Sequence, residues 1–139
     1  MNAESPAVKA HLDIMQGVIQ RMAANSGACK TWCVSLVSAI VIVAADKGKP
    51  ALTFVALLPT VMFFILDVYY LTFEKAFRKS YEVFVGKVHD ESVGVGDLFA
   101  VKPAGRLDDH RCAAMRSLST WGFYASLAAL VLLARFVQE

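Results

Sequence analysis

The sequence predicts an all-α fold: a helical membrane protein with about three transmembrane helices, an N-terminal amphipathic helix, and a long second helix continuing into the cytoplasm. Three observations carry that expectation. Apolar residues make up 57% of the chain, above the roughly 45–50% of soluble domains, and mean hydropathy is +0.51. They are concentrated in three blocks, Thr31–Ala45, Ala51–Phe73 and Ser117–Ala134, of which the first and third carry no charge. Finally, two segments repeat apolar residues at helical spacings of three and four.

The first element is expected over residues 5–25. Ser5 is placed to cap it, with Pro6 at the first helical position. Val8, Leu12, Met15, Ile19 and Met22 recur as one stripe. Only two basic residues accompany that stripe, so packing against a neighbouring helix is favoured over lying flat on a bilayer. Asn25, Ser26 and Gly27 read as its end.

The first span is expected over 30–45, followed by a tight turn around Asp46–Pro50. The second element, 51–88, is expected as a span plus a cytoplasmic extension. As one helix it would be about 57 Å long at about 1.5 Å per residue. No helix breaker falls between Asp67 and Gly86, and Tyr70, Phe73, Phe77, Tyr81, Phe84 and Val88 form an aromatic stripe. Leu12, Met15 and Ile19 are therefore expected to pack against Phe73, Phe77, Tyr81 and Phe84. Pro59, mid-span, removes a backbone hydrogen bond and is a candidate hinge.

Residues 89–116 are read as a polar loop and juxtamembrane segment, marked by Gly94, Gly96, Pro103 and Gly105, with a helix expected to start near Arg106. The third span is expected over 117–135. Gly122, Ser126 and Ala129 there, with Ser35 and Ser38 in the first span, give small surfaces for close helix approach, within the protomer or between copies. Trp32 and Trp121 suit the bilayer interface.

Charge placement orients the spans. With the N-terminus inside, eleven Lys and Arg residues fall on the cytoplasmic side and three on the other, as the positive-inside rule favours. The start of the chain does not read as a secretory signal. The expected location is the bacterial inner membrane, multi-pass, with the N-terminus cytoplasmic.

Asp67 is the main candidate functional residue, because a carboxylate near the end of an apolar span is costly. Counted from the turn, Asp67 lies about 24 Å along its helix and Lys30 about 22 Å along its own. Three environments are open to Asp67. It can pair with Lys30, join a ring of carboxylates lining a pore between copies, or simply reach the headgroups.

Other groups suggest less. Arg106, His110 and Arg111 are candidates for an anionic ligand or lipid headgroups. Cys29, Cys33 and Cys112 have no zinc spacing and read as packing residues on the reducing side. Gly-Val-Gly-Asp at 94–97 is no phosphate loop. With no nucleophile–base pair and no metal set, no enzymatic activity, cofactor, metal or nucleic-acid partner is expected. The bilayer and further copies of the chain are the expected partners.

One resemblance adds to this reading. The pattern joins an amphipathic N-terminal helix, an Asn-Ser before the first span, and an aromatic-rich second span with an Asp-x-Tyr-Tyr exit. It is carried by His11, Gln16, Arg21, Met22, Asn25, Ser26, Lys30, Trp32, Pro59, Asp67, Tyr69 and Tyr70. It resembles small bacterial membrane proteins of the SLATT-like effector class associated with phage-defence operons. The resemblance covers residues 8 to about 90. It implies an oligomeric membrane effector that forms a pore or disrupts the membrane after a cytoplasmic protein or nucleotide signal. The competing expectation is a membrane-anchored scaffold or regulatory subunit for a separate cytoplasmic partner.

Overall fold

The computed structural model describes residues 4–137. Among these there is no β-strand. Four α-helices run in the order α1 (Pro6–Asp46), α2 (Leu57–His89), α3 (Leu107–Arg116) and α4 (Phe123–Val137). A 3₁₀ segment, Pro50–Ala56, leads into α2, and a π-helical turn, Leu118–Gly122, leads into α4.

The largest departure from the sequence reading is α1. The break expected at residues 25–27 is absent, and one helix of 41 residues replaces the separate amphipathic helix and first span. At 1.5 Å per residue it is about 61 Å long. The reason lies in the inward seam. Val8, His11, Met15, Ile19, Ser26, Cys29, Cys33, Val37 and Ala44 are all buried, and with Met22 and Ile40, both half-buried, they keep to steps of three and four throughout. A seam that continues across Ser26 makes continued helix more favourable than a stop. Gly27 costs only about 1 kcal/mol relative to Ala in a helix, and its carbonyl accepts from Thr31 Oγ1 at 3.3 Å. The helix starts at Pro6 after Ser5, which makes no side-chain capping bond.

α1 and α2 form an antiparallel hairpin. Contacts along it pair Cys33 with Pro59, Lys30 with Asp67, Gln16 with Tyr81 and His11 with Phe84. Pro59 occupies the third position of α2, just after the 3₁₀ segment. In the first turn of an α-helix a proline removes no intrahelical hydrogen bond, so it is tolerated there. Of the aromatic stripe, Phe84 and Tyr81 pack in one cluster with Met15 and Leu12, but most of its rings lie beside the seam rather than on it. Tyr70, Phe73, Phe77 and Tyr81 are half-buried flanking residues, while the seam of α2 runs through Asp67, Val68, Thr72, Ala76, Phe84 and Val88. Small residues at the seam let the two backbones approach, and the rings stack on one another along the helix (Tyr69–Phe73, 4.9 Å; Phe73–Phe77, 6.2 Å). Leu12 is half-buried, whereas Met15 and Ile19 are buried.

After α2, residues 90–106 form a strap across the end of the hairpin. Val93 and Leu98 complete a core with Val8, Met15, Phe84 and Val88. In water each such side chain contributes about 1.5–3 kcal/mol on burial. The strap returns beside α2, where Ala104 N donates to Ala76 O at 3.2 Å. α3 packs back along α2 as a helix of its own. The chain turns extended at Ser117 (ψ 128) before entering the π turn and α4.

α4 runs beside the other half of the hairpin. Tyr124, Leu127 and Val131 pack with Cys33, Val37 and Ala56, and the Arg135 guanidinium lies 5.6 Å from the centre of the Phe54 ring. α4 thus reaches the level of the turn between α1 and α2. The molecule divides into a polar half, built from α1, α2, α3 and the strap, and an apolar half, built from α1, α2 and α4. Three helical stretches, Pro6–Asp46, Pro50–His89 and Leu118–Val137, are long and apolar enough to cross a membrane. Two buried hydroxyls of α2 are satisfied by its own backbone: Thr60 donates to Ala56 O (2.8 Å) and Thr72 to Val68 O (2.6 Å).

Candidate functional site

The two halves meet at Asp67. Its position on the α2 seam turns the side chain into the bundle, where it is 0% exposed. Ser26 and Lys30, one turn apart on α1, face it. Lys30 Nζ lies 2.6 Å from Asp67 Oδ2, with its side chain 20% exposed. Ser26 donates a hydrogen bond to Asp67 Oδ1 and Lys30 Nζ donates to Ser26 Oγ at 3.3 Å. Both carboxylate oxygens are therefore occupied by α1. From α4, the hydroxyl of Tyr124 is buried in the neighbourhood of Asp67.

This arrangement has a definite physical meaning. A lone carboxylate in this setting would pay a large desolvation penalty. Here it is neutralised by a lysine and hydrogen-bonded by a hydroxyl. Of the three environments open to Asp67, the protomer provides the Lys30 pair. Within it the carboxylate lines no open path. The pair fixes the register of α1 against α2 at one level.

That level is also marked on the outside. Trp32, Tyr69 and Trp121 follow or precede the cluster by a few residues on three different helices, and are 65%, 55% and 51% exposed. Exposed amphipathic rings near this level are compatible with an interfacial belt.

The residues expected at a helix–helix interface lie elsewhere. Ser35, Ser38, Ser126 and Ala129 are exposed and Gly122 is half-buried. They are not the contact surface between the three apolar helices of one protomer, a correction to one of the two possibilities. Larger residues, Val37, Leu127 and Val131, occupy that place. Two of the exposed hydroxyls are satisfied by their own helices, Ser35 on Thr31 O (3.0 Å) and Ser126 on Gly122 O (2.7 Å).

Arg106, His110 and Arg111 are also used separately. His110 Nε2 is 2.9 Å from Ala104 O, Arg111 is 3.7 Å from Asp108, and Arg106 precedes α3. Gly105, at φ +83, leaves His110 its place: a Cβ there would stand 2.7 Å from Nε2. His110 thus ties the turn before α3, while Arg106 and Arg111 are exposed.

His11, Ser26 and Tyr124 are the side chains with polar roles that sequence reasoning did not pick out. His11 is 1% exposed and accepts a hydrogen bond from Phe99 N–H at Nδ1 (3.0 Å). Its signal was present, since His11 and Ser26 both sit on the seam of α1. Among the described residues, no three His, Cys, Asp or Glu side chains come together as metal ligands.

No protein-family model matches this chain, and neither curated proteins nor solved structures include one detectably similar to it.

Proposed function

We propose that the chain is an inner-membrane effector that associates with its own copies and permeabilises the bilayer when its polar half is engaged. The polar half faces the cytoplasm in this reading, as the charge distribution favours. The observation that carries the proposal is the outward placement of Ser35, Ser38, Ser126 and Ala129. Small residues, with the Ser35 and Ser126 hydroxyls satisfied by their own helices, demand little from lipid. On an outer face they allow the backbones of neighbouring copies to approach closely.

The continuous helices α1 and α2 supply the means of transmission. Both pass through the boundary, and the Lys30–Asp67 pair clamps them there. A displacement of the polar end is thereby delivered to the apolar half as a rigid movement. Opening of a path arises between copies in this reading, since Asp67 is enclosed within each one.

The test is dye release from vesicles containing the full chain, together with its mass in detergent. Ala129→Leu and Ser126→Leu, both at exposed positions, are expected to reduce association and leakage together while leaving thermal stability near wild type. A strictly monomeric protein that neither leaks vesicles nor depolarises expressing cells would sink the effector reading and favour a membrane-anchored scaffold.

A further inference from the structure

We propose that His11 is an acid-sensitive latch that holds residues 90–106 over the end of the α1–α2 hairpin and releases them when its ring is protonated.

The geometry is specific. His11 accepts the Phe99 N–H at Nδ1, so the neutral ring carries its proton on Nε2. The ring stands edge-on to Phe84 from α2 (4.4 Å between centroids) and to Phe99 from the strap (6.4 Å). Phe99 adopts φ +62, a left-handed conformation uncommon for a bulky residue. It is held where its amide can reach the histidine. The chain spends local conformational energy to make this one bond, which joins residues 88 positions apart.

Protonation of Nδ1 removes the lone pair that Phe99 N–H needs. Two donors then face one another, and an imidazolium is enclosed between two aromatic rings. Burial already holds the His11 pKa below its usual 6.5, against a smaller opposing pull from Asp97. The sign follows. The latched form binds the proton less well than the released form, so latching is fully stable above about 6.5 and weakens as pH falls below it.

The other charged groups around the ring do not reverse this. His11 shares a cavity of about 250 Å³ with Lys87 of α2 and with Asp97 and Lys102 of the strap. The two lysines disfavour a second cation. Asp97, bonded to Lys87 at 2.7 Å and to Gly94 N–H at 3.0 Å, has its carboxyl held below the usual range and stays ionised throughout. His110 anchors the far end of the strap differently. Its Nε2 faces a carbonyl oxygen, a contact that a protonated ring still makes. His89 is exposed at the end of α2. Acid therefore acts on His11 at one end of the strap and spares the other.

Release would uncover Val8, Met15, Phe84 and Val88, which Val93 and Leu98 now cover. That apolar patch is at the far end of the polar half from Asp67. The latch does not depend on membrane permeabilisation, so either proposal can fail alone.

The experiment is hydrogen exchange on the full chain in lipid nanodiscs, from about pH 7.5 to about pH 5, with protection corrected for intrinsic exchange rates. Amides of residues 93–101 are expected to lose up to about tenfold protection per pH unit below 6.5, while α3 changes little. His11→Asn and His11→Gln remove the titrating group. Both are expected to give strap protection that is independent of pH over this range, whatever its absolute level, and His89→Gln and His110→Gln to keep the wild-type profile. Flat strap protection in the wild-type chain overturns the proposal. So does a wild-type pH profile that survives in both His11 variants.

Discussion

Lys30 and Asp67 are 37 residues apart in sequence and 2.6 Å apart across the α1–α2 hairpin. The lysine keeps a fifth of its side chain exposed and the aspartate none. This asymmetry makes the two halves of the pair unequal. Without Asp67, the Lys30 stem can extend its ammonium toward the interface and recover hydration. Without Lys30, the carboxylate is left enclosed with Ser26 as its remaining direct donor.

Lys30→Met is therefore expected to destabilise the protein more than Asp67→Asn. Breaking a buried pair from the less forgiving side costs about 3–5 kcal/mol, whereas replacing the carboxylate by an amide costs about 1–3 kcal/mol, the usual range for lost buried polar contacts. Thermal unfolding in detergent orders the two. Equal melting temperatures would show that Asp67 has a second route to solvent or to a counter-ion. The double variant Lys30→Met with Asp67→Leu is expected to recover much of the loss, because no unpaired charge then remains.

Much of this architecture is legible in the sequence. The apolar blocks mark the three stretches able to span, and counting from the Asp46–Pro50 turn levels Lys30 with Asp67. What local patterns misplace has a common cause: each misplaced feature is decided by a partner distant in sequence. Asn25-Ser26-Gly27 carries strong turn preferences, yet Ser26 faces Asp67 and the helix continues. Pro59 looks like a helix interior until the preceding 3₁₀ segment places the start of α2 at Leu57. A single histidine on a helical stripe gives no hint that its acceptor atom serves an amide 88 residues away. Nor does the composition of the third block say that Leu127 and Val131 face inward while Ser126, Ala129 and its other leucines face outward.

The continuity of α1 gives a second expectation. Gly27 lies in the helix interior, and a Cβ added there meets nothing within 4 Å. Gly27→Ala is expected to stabilise the chain by about 0.5–1 kcal/mol, since glycine loses more backbone freedom than alanine in a helix. The gain should appear as a small rise in melting temperature with unchanged helical circular dichroism. A loss of stability would mean that residues 25–27 bend in the working protein, returning α1 to two separate helices.

Asp97 provides the last test, and it separates two acid transitions in one strap. Its carboxylate joins Lys87 Nζ of α2 to the Gly94 N–H of the strap. Those two contacts, Lys87 first and Gly94 second, set its pKa below the ordinary 3.8. A depressed carboxylate contributes stability that is complete above the unfolded value and is lost as pH falls through the folded one. The Asp97 contribution should thus persist through the His11 range and disappear only below about pH 3.8. Limited proteolysis of residues 90–106, with an acid-active protease, is expected to show a further rise in cleavage there. Asp97→Asn keeps the side-chain oxygen for Gly94 N–H but removes the charge facing Lys87. It should raise cleavage at neutral pH and abolish the low-pH step, while the His11 step remains. Were the low-pH step to survive in Asp97→Asn, another carboxylate would have to secure the strap, and the Lys87–Asp97 bridge would be an incidental surface pair.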